Sequence, residues 1–155
     1  MRPWLEEQLD RFRQALEERF GSDLVTLAVF GSQAHGREHP ESDLDLLLVI
    51  RGLPRRRLER HGVILKLAHH VSDQFAETMS AIPLRPEEAV TIKPYYLGFL
   101  EGHRLLVDRE GFFRQILDRL ERRLKELGSR RLVDELGNPY WDLKPDYVLG
   151  EDVVL

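Results

Sequence analysis

The segment from residue 29 to residue 50 constrains the fold of this chain more than any other stretch. It contains an apolar run that ends at Gly31-Ser32, a polar linker of ten residues, and Asp43-Leu44-Asp45 at the start of a second apolar run. Both runs carry apolar residues on both alternating faces, which predicts two strands buried on both faces. The ends of the linker, where these strands begin and end, are therefore the first candidates for a functional site.

Asp43 and Asp45 have the spacing expected of a metal site. Residues i and i+2 of a strand point to the same face, so both carboxylates are predicted to lie side by side while Leu44 points into a core. Hard oxygen donors of this kind suit Mg²⁺. Two like charges ahead of an apolar run are costly unless a cation offsets their repulsion. The alternative is an acidic pair at a strand start that binds nothing.

Gly31-Ser32 stands where the first predicted strand turns into a short helix. Backbone N–H groups at such a position are free to receive a phosphate. The Gly31-to-Ser42 segment is expected to start as that helix and to end in a turn marked by Pro40, with His35 and His39 as less favoured phosphate contacts.

The composition restricts the class of protein. The chain has 155 residues, a formal net charge of −4 and no Cys, which predicts one domain with no disulfide, no thiolate zinc site and no general attraction to nucleic acid or anionic lipid. No apolar run approaches a membrane span, and the acidic N-terminus does not look like a signal peptide. We expect a cytoplasmic protein, and the abundance of Arg, Leu and Glu is typical of a thermophilic source.

Hydrophobic periodicity predicts an α/β (α+β) domain with a small mixed β-sheet packed with helices. The predicted strands are 24–30, 44–50, 78–84 and 104–108. The predicted helices are 3–20, 54 to about 75, one that starts at Pro86, a short one around 95–101, and 110–127. In the long helix, the residues expected to face the core are Leu58, Leu65, Ala68, Val71 and Phe75.

We predict a domain over residues 1–128, made of the N-terminal helix, a core from 22 to 108 and the C-terminal helix. Residues 129–155 show no sustained period and are interpreted as a tail. Its Tyr140-Trp141 pair is expected to pack on the domain or a symmetry mate, with partner docking and base stacking as less favoured alternatives.

Two polar features have structural interpretations. The arginines at 55–57 together with Arg60 are expected to form a solvated helix face. Asp108 is expected to cap the helix that follows it.

The pattern of Gly31-Ser32, ten residues and Asp43-Leu44-Asp45 resembles the signature of the polymerase-beta-like nucleotidyltransferases. It is similar in particular to the minimal nucleotidyltransferases found beside small all-helical HEPN-type proteins. The resemblance implies the polymerase-beta-like nucleotidyltransferase fold. In this chain a C-terminal helix and a tail follow that fold. The resemblance also implies that Gly31 and Ser32 bind the nucleotide while Asp43 and Asp45 are catalytic and hold Mg²⁺, with two ions in some cases.

The resemblance implies transfer of a nucleoside monophosphate from an NTP, with ATP the expected donor, to a hydroxyl acceptor that a partner protein could carry. Members of the family usually have a third carboxylate on the third strand. The equivalent position here is near Ser80, and the nearby Glu77 has the wrong parity. This departure leaves two alternatives open: an antitoxin-like module that binds a helical HEPN-type toxin, and a non-catalytic nucleotide sensor. The aromatic tail also suggests a homo-oligomer.

Overall fold

The computed structural model describes residues 1–34 and 42–155. Within these ranges, no helix has the length and apolar character needed to cross a membrane. The α-helices are α1 (Pro3–Phe20), α2 (Arg57–Val71), α3 (Asp73–Thr78), α4 (Pro86–Ala89) and α5 (Phe112–Leu127). The strands are β1 (Leu24–Phe30), β2 (Leu44–Ile50), β3 (Met79–Leu84), β4 (Arg104–Asp108), β5 (Arg130–Val133) and β6 (Pro139–Asp142). Gly21–Asp23, Pro94–Glu101 and Arg109–Gly111 form 3₁₀ helices.

The first four strands form one mixed sheet in the order β3-β2-β1-β4. β1 runs antiparallel to β2 and to β4, whereas β2 and β3 are parallel. The predicted α/β fold with a small mixed sheet is confirmed, and α1, β1, β2 and β4 have the predicted bounds. The two central strands are buried because their neighbours in the sheet and helices on both faces cover them.

The two faces of the sheet pack into separate cores, and alternate residues of β2 show which face is which. Leu44, Leu46 and Leu48 lie in a first cluster with apolar side chains of α1, α2 and α3. Leu47 and Val49 lie in a second cluster with the Pro94–Glu101 helix and α5. Asp45 has the parity of Leu47, so its side chain is on the face of the second cluster.

The predicted long helix from Pro54 to Phe75 is wrong. It is two helices, α2 and α3, separated by Ser72 in an extended conformation (φ −171°, ψ 157°). The Ser72 hydroxyl oxygen accepts a hydrogen bond from the Phe75 backbone N–H at 3.0 Å, which caps the second helix. The predicted core face is correct for Ala68 and Phe75, which are buried. It is wrong for Leu58 and Leu65, which are 88% and 44% exposed. The buried side chains of α2 are Arg60, Ile64 and Ala68.

The expectation that Arg60 is solvated is wrong, although residues 55–57 are exposed as predicted. Only 3% of Arg60 is accessible. Its guanidinium donates to the Glu88 carboxylate at 2.7 Å and to the backbone carbonyls of Pro54, Arg55 and Pro83. A buried charge is tolerated only when it is paired and hydrogen-bonded in this way. Arg60 therefore fastens the start of α2 to β3 and α4.

Asp108 caps the helix that follows it, as predicted. Its carboxylate accepts hydrogen bonds from the backbone N–H groups of Phe113 and Arg114 at 2.8 and 3.0 Å. The hydroxyl of Thr26 on β1 also donates to it, at 2.7 Å. The carboxylate therefore connects the start of α5 to the middle of the sheet.

The C-terminal segment, residues 129–155, contains an antiparallel hairpin, β5–β6, that was not predicted from the sequence. The turn is held by Asp134, whose carboxylate accepts from the N–H groups of Leu136 and Asn138. Trp141, Leu143 and Leu155 pack against the second cluster. Neither strand alternates apolar with polar residues, so the sequence has no strand periodicity there. The division of the chain at residue 128 stays a prediction.

Candidate active site at the end of β1 and β2

Gly31 follows the last residue of β1 and lies directly against Asp45. Phe30 is the register partner of Asp45 in the β1–β2 pair. Gly31 has φ +71°, and a Cβ added to it would lie closer than 3.0 Å to Oδ2 of Asp45 and 3.2 Å from its Cγ. Glycine is therefore required here for two reasons: its backbone has a positive φ, and the Asp45 carboxylate occupies the space that a Cβ would need.

The two predicted carboxylates are brought together at this edge of the sheet. Asp43 is exposed, Leu44 is buried in the first cluster as predicted, and Asp45 is half-buried. Burial raises the pKa of the Asp45 carboxyl above its ordinary value, and the charge of Asp43 raises it further. Among residues 1–34 and 42–155, no Lys, Arg or His forms an ion pair with either aspartate. Within these ranges, therefore, no basic side chain offsets the repulsion between the two carboxylates.

The donor set fits a hard divalent cation. Both carboxylates are free to bind one, and a bound cation would remove the like-charge repulsion that raises the pKa of Asp45. No cluster of three or more His, Cys, Asp or Glu residues with metal-binding placement occurs within the described ranges. A cation held by one or two carboxylates takes its other ligands from water or from substrate phosphates, which is the usual arrangement for Mg²⁺.

The parallel pairing of β2 with β3 makes Ser80 the register partner of Asp45. This agrees with the position obtained by counting along the sequence. Ser80 is exposed, and Glu77 lies in α3, outside the strand. The neighbour of Asp45 on β3 is therefore a hydroxyl and not a carboxylate.

Residues 31–34 form a turn closed by a hydrogen bond from the Ala34 N–H to the Gly31 carbonyl, at 3.1 Å. The expectations for His35, His39 and the Pro40 turn lie outside the described residues. Gln33, which the sequence analysis did not single out, is buried, and its side-chain amide donates to the Ser42 carbonyl at 3.2 Å. This bond ties the segment carrying Gly31-Ser32 to the residue that precedes Asp43. A polar residue in a polar linker gave no signal of that role.

A cavity of about 770 Å³ lies elsewhere, at the opposite end of β1. Val25, Arg51, Arg109 and Phe112 are among its lining residues. Arg109 donates to the Leu24 carbonyl and Arg51 to the Ser22 carbonyl. These two basic groups hold the backbone at the start of β1, so we do not assign the cavity to the carboxylate site.

The close approach of Gly31 to Asp45 leads to a test by urea denaturation. Gly31→Ala should lose about 1–2 kcal/mol from its positive φ and a further ~1–3 kcal/mol from overlap with the carboxylate. Gly128→Ala is the matched control, because Gly128 has φ +68° with no atom within 4 Å of an added Cβ. The excess loss should disappear in an Asp45→Ala background. Equal losses for the two glycine variants would contradict the packing described here.

The raised pKa of Asp45 gives a pH-dependent prediction. Because its folded-state pKa lies above the unfolded value near 3.8, the contribution of this group to stability is complete below that value and is lost as pH rises through the folded-state pKa. Asp45→Asn removes the titration. In divalent-free buffer at pH 7 its Tm should exceed that of the wild type by about 2 °C or more, and the difference should shrink toward pH 4. Asp118→Asn, an exposed change on α5, should have no such effect, and a lower Tm for Asp45→Asn at pH 7 would contradict the prediction.

The chain is similar to known proteins over most of its length. The family model described as "Nucleotidyltransferase domain" matches residues 9–145. The protein named "Putative protein adenylyltransferase MJ1305" from Methanocaldococcus jannaschii is 32% identical over 121 residues, which is 77% of this chain and 82% of that protein. A crystal structure of a toxin–antitoxin with AMP-PNP is similar in fold, with a TM-score of 0.50 at 14% identity, covering 77% of this chain and 91% of that chain. The sequence motif, the mixed sheet and these matches agree, and the chain belongs to the nucleotidyltransferase domain family.

Proposed function

We propose that this protein is an Mg²⁺-dependent nucleotidyltransferase that moves a nucleoside monophosphate, with ATP as donor, to a hydroxyl acceptor. The observation that carries the proposal is the contact of Gly31 with Asp45, which puts a candidate phosphate-binding turn and a pair of carboxylates at one point. The name of the archaeal relative and the AMP-PNP in the structural neighbour support an adenine nucleotide as donor.

The roles follow from the chemistry of each group. Asp43 and Asp45 would hold Mg²⁺, and that ion, when bound, supplies charge neutralisation at the nucleotide phosphates. The backbone N–H groups at Gly31 and Ser32, together with the Ser32 hydroxyl, would bind the β- and γ-phosphates and orient pyrophosphate as the leaving group.

The acceptor oxygen forms a bond to the α-phosphorus while the bond from that phosphorus to the bridging oxygen breaks. The proton of the attacking hydroxyl must also leave. Because Ser80 occupies the position beside Asp45, we assign no side-chain carboxylate of β3 as the base, and water is the proposed proton acceptor.

Transfer of label from α-labelled ATP tests the function. Wild-type protein with Mg²⁺ should transfer AMP to proteins or small hydroxyl compounds, and Asp43→Asn or Asp45→Asn should lower the rate by about 100-fold or more. Asp118→Asn should transfer as the wild type does. Equally low transfer by the wild type and the Asp45 variant would contradict the proposal that the protein is an enzyme. Mg²⁺-dependent ATP binding without transfer would favour the nucleotide sensor instead.

Ser80→Asp provides a further arm of the same assay. If the absent carboxylate limits proton removal, this variant should transfer faster than the wild type by about tenfold or more, within the usual contribution of general base catalysis. An unchanged rate would show that deprotonation of the acceptor does not limit transfer.

A second candidate function is binding of a protein partner, and the C-terminal segment favours it. Large apolar side chains are exposed along this segment; they are Val133, Leu136, Tyr140, Tyr147, Val148, Leu149 and Val154. Exposed apolar side chains concentrated in one segment are typical of an interaction surface. The structural neighbour is a toxin–antitoxin, and we propose that a small helical toxin of the HEPN type docks on this segment. The partner would also be a candidate for the hydroxyl acceptor.

Co-purification with the product of the adjacent gene tests the partner. The wild type should retain a small helical protein, and the double variant Leu136→Asp/Leu149→Asp should lose it. Leu58→Asp is the control, because Leu58 is equally exposed on α2, away from the C-terminal segment. Equal recovery with the wild type and the double variant would count against docking at this segment.

A further inference from the structure

His103 lies on the opposite side of the end of β1 from Asp45. The residue after it, Arg104, is the register partner of Val29 in the β1–β4 pair. Continuing that register by one residue places His103 beside Phe30, whose partner on its other side is Asp45. Adjacent strands are about 4.8 Å apart, so the backbones of Asp45 and His103 are separated by roughly 10 Å, with the end of β1 between them.

The imidazole is on the same face of the sheet as the Asp45 carboxylate. Its ring contacts Phe99, with centroids 6.1 Å apart, and the Phe99 ring stacks on that of Phe30 at 4.6 Å. Phe99 belongs to the second cluster, which covers the face to which Leu47 and Asp45 point. A ligand on this face at the end of β1 would therefore have Asp45 on one side and His103 on the other.

The hydrogen bonding of the ring determines which nitrogen is available. Nδ1 of His103 is 2.8 Å from the backbone carbonyl oxygen of Phe99. A carbonyl oxygen only accepts, so Nδ1 carries a hydrogen. Nε2 is then the nitrogen left for another partner, and the ring is only half-buried. In the protonated ring Nε2 can donate while Nδ1 keeps its bond to Phe99.

We propose that Nε2 of His103 donates a hydrogen bond to the β- or γ-phosphate of the nucleotide. The inference rests on the proposed function, because it takes the Gly31–Ser32 turn as the phosphate site. A phosphate chain lying over that turn is flanked by the metal-binding carboxylates toward β2 and by this imidazole toward β4. His103 is thus a binding residue for the leaving group. It directly precedes β4 and lies outside the sequence motif.

Binding of AMP-PNP with Mg²⁺, measured by calorimetry, tests the proposal with two matched variants. The amide nitrogen of Asn can replace Nδ1, whereas the longer Gln places its amide near the position of Nε2. His103→Asn should therefore keep the bond to Phe99 and weaken AMP-PNP binding about tenfold or more, as expected for a hydrogen bond to a charged group. His103→Gln should bind more tightly than His103→Asn. Binding of AMP should change less than twofold in both.

His70→Gln, an exposed change on α2, is the control and should bind AMP-PNP as the wild type does. Wild-type affinity in both His103 variants would overturn this inference alone. Normal binding by His103→Asn with loss in His103→Gln would show that His103 acts only by pinning Phe99. Equal weakening of AMP and AMP-PNP would overturn the phosphate assignment in favour of a contact to the nucleoside. Failure of the wild type to bind AMP-PNP would overturn the proposed function itself, and this inference with it.

Discussion

The antiparallel pairing of β1 with β2 is the constraint on which the candidate site depends. It makes Phe30 the partner of Asp45 and brings Gly31 against the carboxylate. A slip of one residue would exchange the two faces of β2 and turn Asp45 toward the cluster formed with α1. Both faces of β2 are packed, so such a slip would also move every apolar side chain of the strand into the wrong core. The register that positions the site is thus held by the two hydrophobic cores.

The same packing explains why the charges are where they are. Leu44 to Ile50 is buried except at Asp45, so a carboxylate can be accommodated only at the open end of the strand. Even there burial raises its pKa, and Asp43 adds like-charge repulsion. This local arrangement is unfavourable for the protein alone and favourable for a protein that receives a cation, which is the usual form of a conflict between stability and function.

Local patterns predicted the central elements well. The bounds of α1, β1, β2 and β4 agree with the prediction because continuous apolar runs and a regular helical spacing encode burial directly. The prediction failed where one side chain overrode the pattern. Ser72 ends α2 by capping the next helix. Arg60, which reads as a solvated charge, takes a core position because Glu88 and three backbone carbonyls satisfy its guanidinium.

The sequence by itself determined the candidates that lie within one short segment: Gly31 and Ser32, the aspartates at 43 and 45, and the parity that puts both carboxylates on one face. The sequence indicated a position near Ser80, whereas the tertiary structure decided how distant residues join the site. Ser80 reaches Asp45 through a parallel strand pair and His103 flanks Phe30 through an antiparallel one. The physical reason is that spacing along a strand sets the direction of a side chain, whereas the register between strands depends on how the cores on both faces are filled. That second condition involves the whole chain, and no short segment contains it.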